Sequence, residues 1–229
     1  MAFYSLWLID NFYNIVILVM LTSQDIRKIF IKLGKNYVNP KSELKFKNNF
    51  TFLVSVVLSA QATDVSVNNA TKQLFKIVKT PKDMVNLGEK NLKQYIKTIG
   101  LYNSKAKNVI ALSNKLIDNF NSKIPKKFED LISLPGVGNK TASVYQNAIL
   151  RLPKIAVDTH VYRVSNRLGL VNTKTTDQTQ TELEKTVPKK WLMDAHNLLI
   201  LHGRRVCKSQ KPLCEKCFVQ KNCLFLLNN

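Results

Sequence analysis

Apolar residues recur at helical spacing along almost the whole chain, and the strict alternation of a half-buried strand is nearly absent. Phe50 to Ala60 is apolar on most faces, and its length suits a buried helix better than a strand. Val67, Ala70, Leu74 and Ile77 form one stripe, with Asp64 ahead of it as a cap. Leu92, Tyr95, Ile96 and Ile99 form another, with Gly100 in the helix-terminating position. Ala106, Val109, Ser113, Leu116 and Phe120 continue the theme and stop before Pro125; Trp191, Ala195, Leu198 and His202 make the last long stripe. Phe128–Leu134 reads as a short helix and Asn139–Leu150 as a second. The pattern predicts an all-α chain with no internal repeat and no low-complexity linker.

The N-terminus breaks this pattern. Phe3 to Leu21 is a largely apolar run, about long enough to span a bilayer. It holds Asp10, Asn11 and Asn14, and a central Asp costs roughly 2.5–3.5 kcal/mol on insertion. No Lys or Arg precedes it and no small-residue cleavage site follows, which fits a signal peptide poorly. From Met20 the text MLTSQDIRKIFIKLG reads as an amphipathic first helix capped by Thr22 or Ser23. The expectation is therefore that translation starts at Met20 and residues 1–19 are an upstream leader, a membrane anchor over 3–21 being the rival.

Charge narrows the class. The 229 residues include 35 Lys+Arg against 15 Asp+Glu, a formal net charge of +20. An excess of this size favours a polyanionic partner, because each phosphate contact releases condensed counterions. Only six of the basic residues are Arg, a skew that an A+T-rich genome would also produce. Hydrophobic content of 45% with 22% charged residues excludes wholesale disorder.

Between the two helices after residue 128 lies Leu134-Pro-Gly-Val-Gly138. Gly136 and Gly138 flank one apolar residue, so no side chain shields the backbone amides. Those amides, with the positive end of the next helix, make a phosphate site that reads backbone and not sequence. A plain helix-to-helix turn would look the same. Lys140 adds to the signal: it sits in the first turn of that helix, where the macrodipole disfavours a positive charge and favours the neutral amine a nucleophile needs. The bland alternative is one more solvated lysine on a basic protein. Asp158, in Ile155-Ala-Val-Asp-Thr-His160, is placed to cap the following helix, to take a proton, or to stabilise positive charge developing on a sugar. His160 reads as a capping or phosphate-contacting residue.

Cys207, Cys214, Cys217 and Cys223 all fall in the last 23 residues, spaced Cys-x6-Cys-x2-Cys-x5-Cys. A tight cluster of this kind indicates a metal site and not a disulfide framework. Four thiolates suit tetrahedral zinc and an iron–sulfur cluster equally. Arg204, Arg205, Lys208 and Lys211 lie beside or within the loop, which a rigid centre would present to DNA.

Together these elements resemble the endonuclease III family of DNA glycosylases with lyase activity. Three further segments carry the likeness: Leu58-Ser-Ala-Gln-Ala-Thr-Asp-Val-Ser-Val-Asn68, Tyr95-Ile-Lys-Thr-Ile-Gly-Leu-Tyr-Asn-Ser-Lys105 and Leu199-Ile-Leu-His-Gly-Arg204. It runs from about Met20 to Cys223. The resemblance implies a six-helix domain over 42–152, with a helix-hairpin-helix at about 128–147. It implies a second domain joining 20–41 to 153–229 around one structural [4Fe–4S] cluster. DNA would lie across the cleft between the two domains, and the damaged nucleotide would be flipped out of the stack. Gln61 would fill the gap left behind and Leu101 would wedge into the duplex, with Gly136, Gly138, His160, Arg204, Lys208 and Lys211 contacting DNA. Lys140, assisted by Asp158, would displace an oxidised pyrimidine and then cleave the strand by β-elimination, with no catalytic divalent metal. The partner is then double-stranded DNA carrying a damaged base or abasic site, and the protein a monomer of the bacterial cytoplasm and nucleoid. Asn139 departs from the family, which usually has a basic residue beside the lysine.

Two rivals have distinct signatures. A mismatch adenine glycosylase shares the hairpin, the Asp and the cluster but lacks the lysine. A non-enzymatic DNA-binding protein explains the charge and the hairpin but does not require Lys140 and Asp158 together. Intact-mass measurement of protein from its native host is expected to find a chain beginning at Met20; an intact Phe3–Val19 segment would overturn the internal start.

Overall fold

The computed structural model describes residues 21–38, 40 and 42–227. The expectations for residues 1–20 lie outside them. The described residues are helical with no strand, as the periodicity predicts, and no helix among them is long and apolar enough to cross a membrane. In chain order the helices are α1 (Ser23–Asn36), α2 (Asn49–Leu58), α3 (Asp64–Ile77), α4 (Pro81–Ile96), α5 (Tyr102–Phe120) and α6 (Phe128–Ile132). They continue with α7 (Asn139–Ala148), α8 (Thr159–Leu168), α9 (Thr176–Thr186), α10 (Leu192–Arg205) and α11 (Leu224–Leu227).

The chain divides into two compact units. One is the contiguous stretch Ser42–Leu152; the other joins the described residues ahead of Ser42 to those from Pro153 onward. In the contiguous unit α2 is the central element. Phe52, Leu53, Val54 and Leu58 are all at most 1% exposed, so the helix is buried all round, as its uninterrupted apolar run requires. Leu74, Met84, Leu92, Ile96, Leu112, Leu116 and Tyr145 close the same core.

Local chemistry sets the helix boundaries, and in three places it differs from the pattern reading. Thr63, not Asp64, caps α3, its hydroxyl accepting from the Ser66 amide at 3.2 Å. Ile77 completes the sequence stripe yet is 54% exposed, because the helix ends there and Val78 turns inward instead. α4 stops at Ile96, ahead of Gly100, and the left-handed residue in that connection is Leu101, with φ 59°.

In the second unit α1, α8 and α10 pack Ile29, Phe30, Leu33, Val161, Val164, Leu168, Leu198 and Leu199 into one core that also takes in Cys217 and Cys223. Thr22 resolves the alternative at the first helix. Its hydroxyl caps α1 and donates to Asp25 at 2.6 Å, which holds that carboxyl below its ordinary range. Asn222, next to the last cysteine, donates to Asp25 at 3.4 Å and accepts from Lys32 at 3.1 Å, so the first helix of the unit is fastened to its last segment.

α8 ends at Gly169, which has φ 82°, and a Cβ there would stand 2.3 Å from Leu224 Cδ1. Gly169→Ala is expected to cost about 2 kcal/mol, from left-handed strain together with displacement of Leu224. The shift in the chemical denaturation midpoint measures it, and an unchanged midpoint would contradict the packing.

Candidate active site and cysteine centre

The hairpin is built by turn chemistry. The Val137 amide donates to Leu134 O at 3.0 Å, Pro135 occupies the second position and Gly136, with φ 79°, the third, the arrangement of a type II turn. Val137 is 5% exposed and anchors the turn in the core, while Gly136 and Gly138 face outward. A Cβ on Gly136 would stand 3.0 Å from Asn108 Cβ and 3.2 Å from Val57 Cγ1; one on Gly138 would meet nothing within 4 Å. Gly138 then opens α7 with no side-chain cap, so no side chain fills the helix start. Lys140 follows two residues later on exposed surface.

Two more of the sequence candidates share this unit. Gln61 (φ 53°) and Leu101 (φ 59°) are both left-handed without being glycine, and both are exposed, Leu101 at 60%. Their turns adjoin: a Cβ on Gly100 would stand 4.0 Å from Gln61 O. Strained non-glycine residues cluster where a segment must present a side chain.

The second unit carries Asp158. Extended Ile155-Ala156-Val157 is fully buried and delivers the carboxylate to the start of α8. There Oδ1 accepts from the amides of His160 and Val161, each at 2.9 Å. His196 of α10 braces the approach, its Nδ1 donating to Ala156 O at 2.7 Å. The sequence reading missed Arg163, which joins these parts. Its guanidinium donates to Gly203 O at 3.0 Å, to Cys207 O at 3.1 Å and to His160 Nδ1 at 3.2 Å. A guanidinium can only donate, so Nδ1 of His160 is the acceptor in this contact.

One turn further along α8, Arg167 donates to Lys208 O at 2.7 Å and Ser209 O at 3.0 Å, lies 3.8 Å from Cys207 Sγ, and stacks over Phe225. Two arginines on one helix face therefore hold the loop that carries Lys208 and Lys211. Both lysines are exposed, Lys211 in the left-handed region with φ 48°. Arg204 is exposed in the last turn of α10. Arginine at α8 positions four apart was readable as a helix-face pair, but nothing in the sequence aimed it at main-chain carbonyls.

All four cysteines are unbridged, Cys217 and Cys223 buried and Cys207 and Cys214 partly so. Burial pushes the Cys217 thiol up, as do the charges of Cys223, Cys207 and Cys214. Burial raises the Cys223 thiol too, with smaller contributions from Cys207 and Cys214. Among the described residues no group of three or more His, Cys, Asp or Glu closes on a single metal ion. His202 lies 3.6 Å from Cys217 Sγ and 3.2 Å from the Tyr37 hydroxyl, and burial pushes its pKa down to about 4, which keeps it neutral.

Residues 54–189 match the HhH-GPD superfamily of base excision DNA repair proteins. Endonuclease III of Rickettsia conorii is 52% identical over 206 residues, spanning 90% of this chain and 98% of the relative. Endonuclease III of Escherichia coli K12 is 45% identical over 196 residues, 86% of this chain and 93% of the relative. A trapped endonuclease III–DNA covalent intermediate superposes with TM-score 0.86 at 40% identity, covering 91% of this chain and 99% of that one. A thermostable thymine-DNA glycosylase, 21% identical, shares the fold with TM-score 0.80 over 90% of this chain and 98% of its own. The chain belongs to the endonuclease III family within that superfamily.

The two hairpin glycines separate fold from surface. Gly136→Ala is expected to destabilise by about 1–2 kcal/mol, through its positive φ and close neighbours, while Gly138→Ala stays within about 0.5 kcal/mol. Paired denaturation curves decide; equal losses would refute the distinction.

Proposed function

We propose that this protein is a base-excision repair glycosylase that removes oxidised pyrimidines from double-stranded DNA and nicks the strand at the resulting abasic site. The observation that carries this reading is the placement of Lys140: exposed, in the first turn of a helix whose start no side chain caps, two residues after a glycine that leaves the hairpin surface open. In this reading the hairpin amides grip a backbone phosphate and fix the sugar of the flipped nucleotide relative to the amine. Asp158, a carboxylate at the positive end of α8, supplies the opposite charge.

The Lys140 amine attacks C1′, the bond to the base breaks, and the base leaves with the electron pair and takes up a proton. Opening of the sugar ring gives an iminium between Nζ and C1′. That iminium draws electrons from C2′ as its proton is removed, and the bond from C3′ to the phosphate oxygen breaks, releasing a 5′-phosphate end and leaving the nick. Water then hydrolyses the imine and frees the lysine. Asp158 accepts the proton from the attacking amine and stabilises positive charge on the sugar.

For the four cysteines we propose one [4Fe–4S] cluster. Four unbridged thiols gathered in the last segment of the second unit are a soft donor set of the kind such a cluster takes, and the likeness to the endonuclease III family favours it over zinc. Bound there, the cluster would supply rigidity and no chemistry. Cys207, Cys214, Cys217 and Cys223 would hold it, and the Arg163 and Arg167 bonds to the loop carbonyls would fix Lys208 and Lys211 for phosphate contact. Gln61 and Leu101 enter the duplex at the site of the missing base, and Arg204 and His160 contact the backbone. The protein works as a monomer on the nucleoid in the cytoplasm.

Incubation with a duplex containing one abasic site, followed by borohydride, is expected to give a covalent protein–DNA band that is absent in Lys140→Ala. A folded, cluster-loaded protein that gives no band would refute the mechanism and favour a binding-only role.

A further inference from the structure

One buried cation in the contiguous unit is unused by this mechanism. Lys105 lies in the second turn of α5 and is 5% exposed. Its Nζ is shut off from solvent and has no hydrogen-bond partner among the described residues. A buried ammonium without an acceptor is costly, and burial draws its pKa below the ordinary lysine range. Two contacts along the chain locate it. Its own amide donates to Leu101 O at 3.0 Å, in the turn where Gly100 adjoins Gln61 O. Three residues further along α5, Asn108 packs against Gly136 of the hairpin. Lys105 therefore sits between the contacts that join the start of α5 to the Gln61 turn and to the hairpin. The same end of the unit holds Gln61 and Leu101, which are left-handed without being glycine, as Asn121, Ser122 and Arg151 are elsewhere in the unit. An unsatisfied charge beside two strained turns describes a free state with energy to recover on binding.

We propose that Lys105 is a positioning residue for lesion recognition: when the Gln61 and Leu101 turns close on an opened base step, their main-chain carbonyls become the acceptors its ammonium lacks. The inference rests on the proposed function, in which those turns enter the duplex. The free protein bears the cost of the unpaired ammonium and the lesion complex relieves it. Lys105 thereby adds to binding of damaged DNA and not to binding of intact duplex, where the turns stay as they are.

Lys105→Met keeps the length of the side chain and removes the charge. Affinities of the full-length protein and this variant are compared, at one salt concentration, for a duplex bearing a tetrahydrofuran abasic analogue and for the same duplex undamaged. The thermal midpoint of each free protein is recorded alongside. The variant is expected to be no less stable without DNA, to bind the analogue about tenfold more weakly, and to bind undamaged duplex unchanged. A specific-to-undamaged ratio within twofold of the parent's overturns the proposal, whichever way the midpoint moves. If the parent itself does not prefer the analogue, the base-excision reading falls and takes this inference with it; if the parent discriminates and the variant does so equally, only the role of Lys105 falls.

Discussion

Every α-helix begins with amides that have no carbonyl behind them, and how each start is filled decides where negative charge can rest on the protein. Thr22, Asn48, Thr63, Thr80 and Thr175 fill their helix starts with neutral side-chain oxygens. Asp158 fills the start of α8 with a full negative charge, and α7, after Gly138, has no side-chain cap. The starts of α5, α6 and α10 also lack a side-chain cap, but α8 and α7 carry the two halves of the proposed chemistry: one helix start has its own carboxylate and the other, opening from the hairpin, is left for a phosphate. The two cores hold these starts in place. Val137 anchors the hairpin from beneath, and Ile155-Ala-Val157 anchors the approach to Asp158.

The cysteine segment obeys a different constraint. It has little regular structure to satisfy its main-chain carbonyls, and the long arginines of α8 reach across to do so. Arg163 and Arg167 act here as internal donors, so part of the excess positive charge is structural. The exposed lysines of the loop are a separate population, free of that duty and turned toward solvent.

The fold class was legible because packing in an all-α protein leaves a 3.6-residue imprint, plain in α1, α5 and α10, while α2, apolar all round, was readable by the length of its run. The boundaries were less legible. Asp64 and Thr63 are both good caps, and only the hydroxyl of Thr63 reaches the Ser66 amide. Gly100 looked like the left-handed residue, but Leu101 takes that conformation and presents its side chain outward by doing so. α9 went unread because Thr179 and Leu183 alone face inward, too few to make a stripe. Lys140 and Asp158 stood out through helix-start chemistry, which is local in sequence. Arg163, His196 and Lys105 did not, since a carbonyl forty residues away, or the lack of an acceptor among the described residues, leaves no local mark.

The fastening of α1 to the cysteine segment through Asp25, Lys32 and Asn222 bears on how the chain comes off the ribosome. The Ser42–Leu152 unit is one unbroken stretch and is complete for folding once its last helix emerges. α1, made before the other described helices, packs Ile29, Phe30 and Leu33 into a core whose other helices, α8 and α10, do not yet exist. At ordinary synthesis rates that leaves an apolar helix face exposed for on the order of ten seconds or more. A long charged face and a short apolar stripe, as α1 has, is the form in which such a helix can wait in solution.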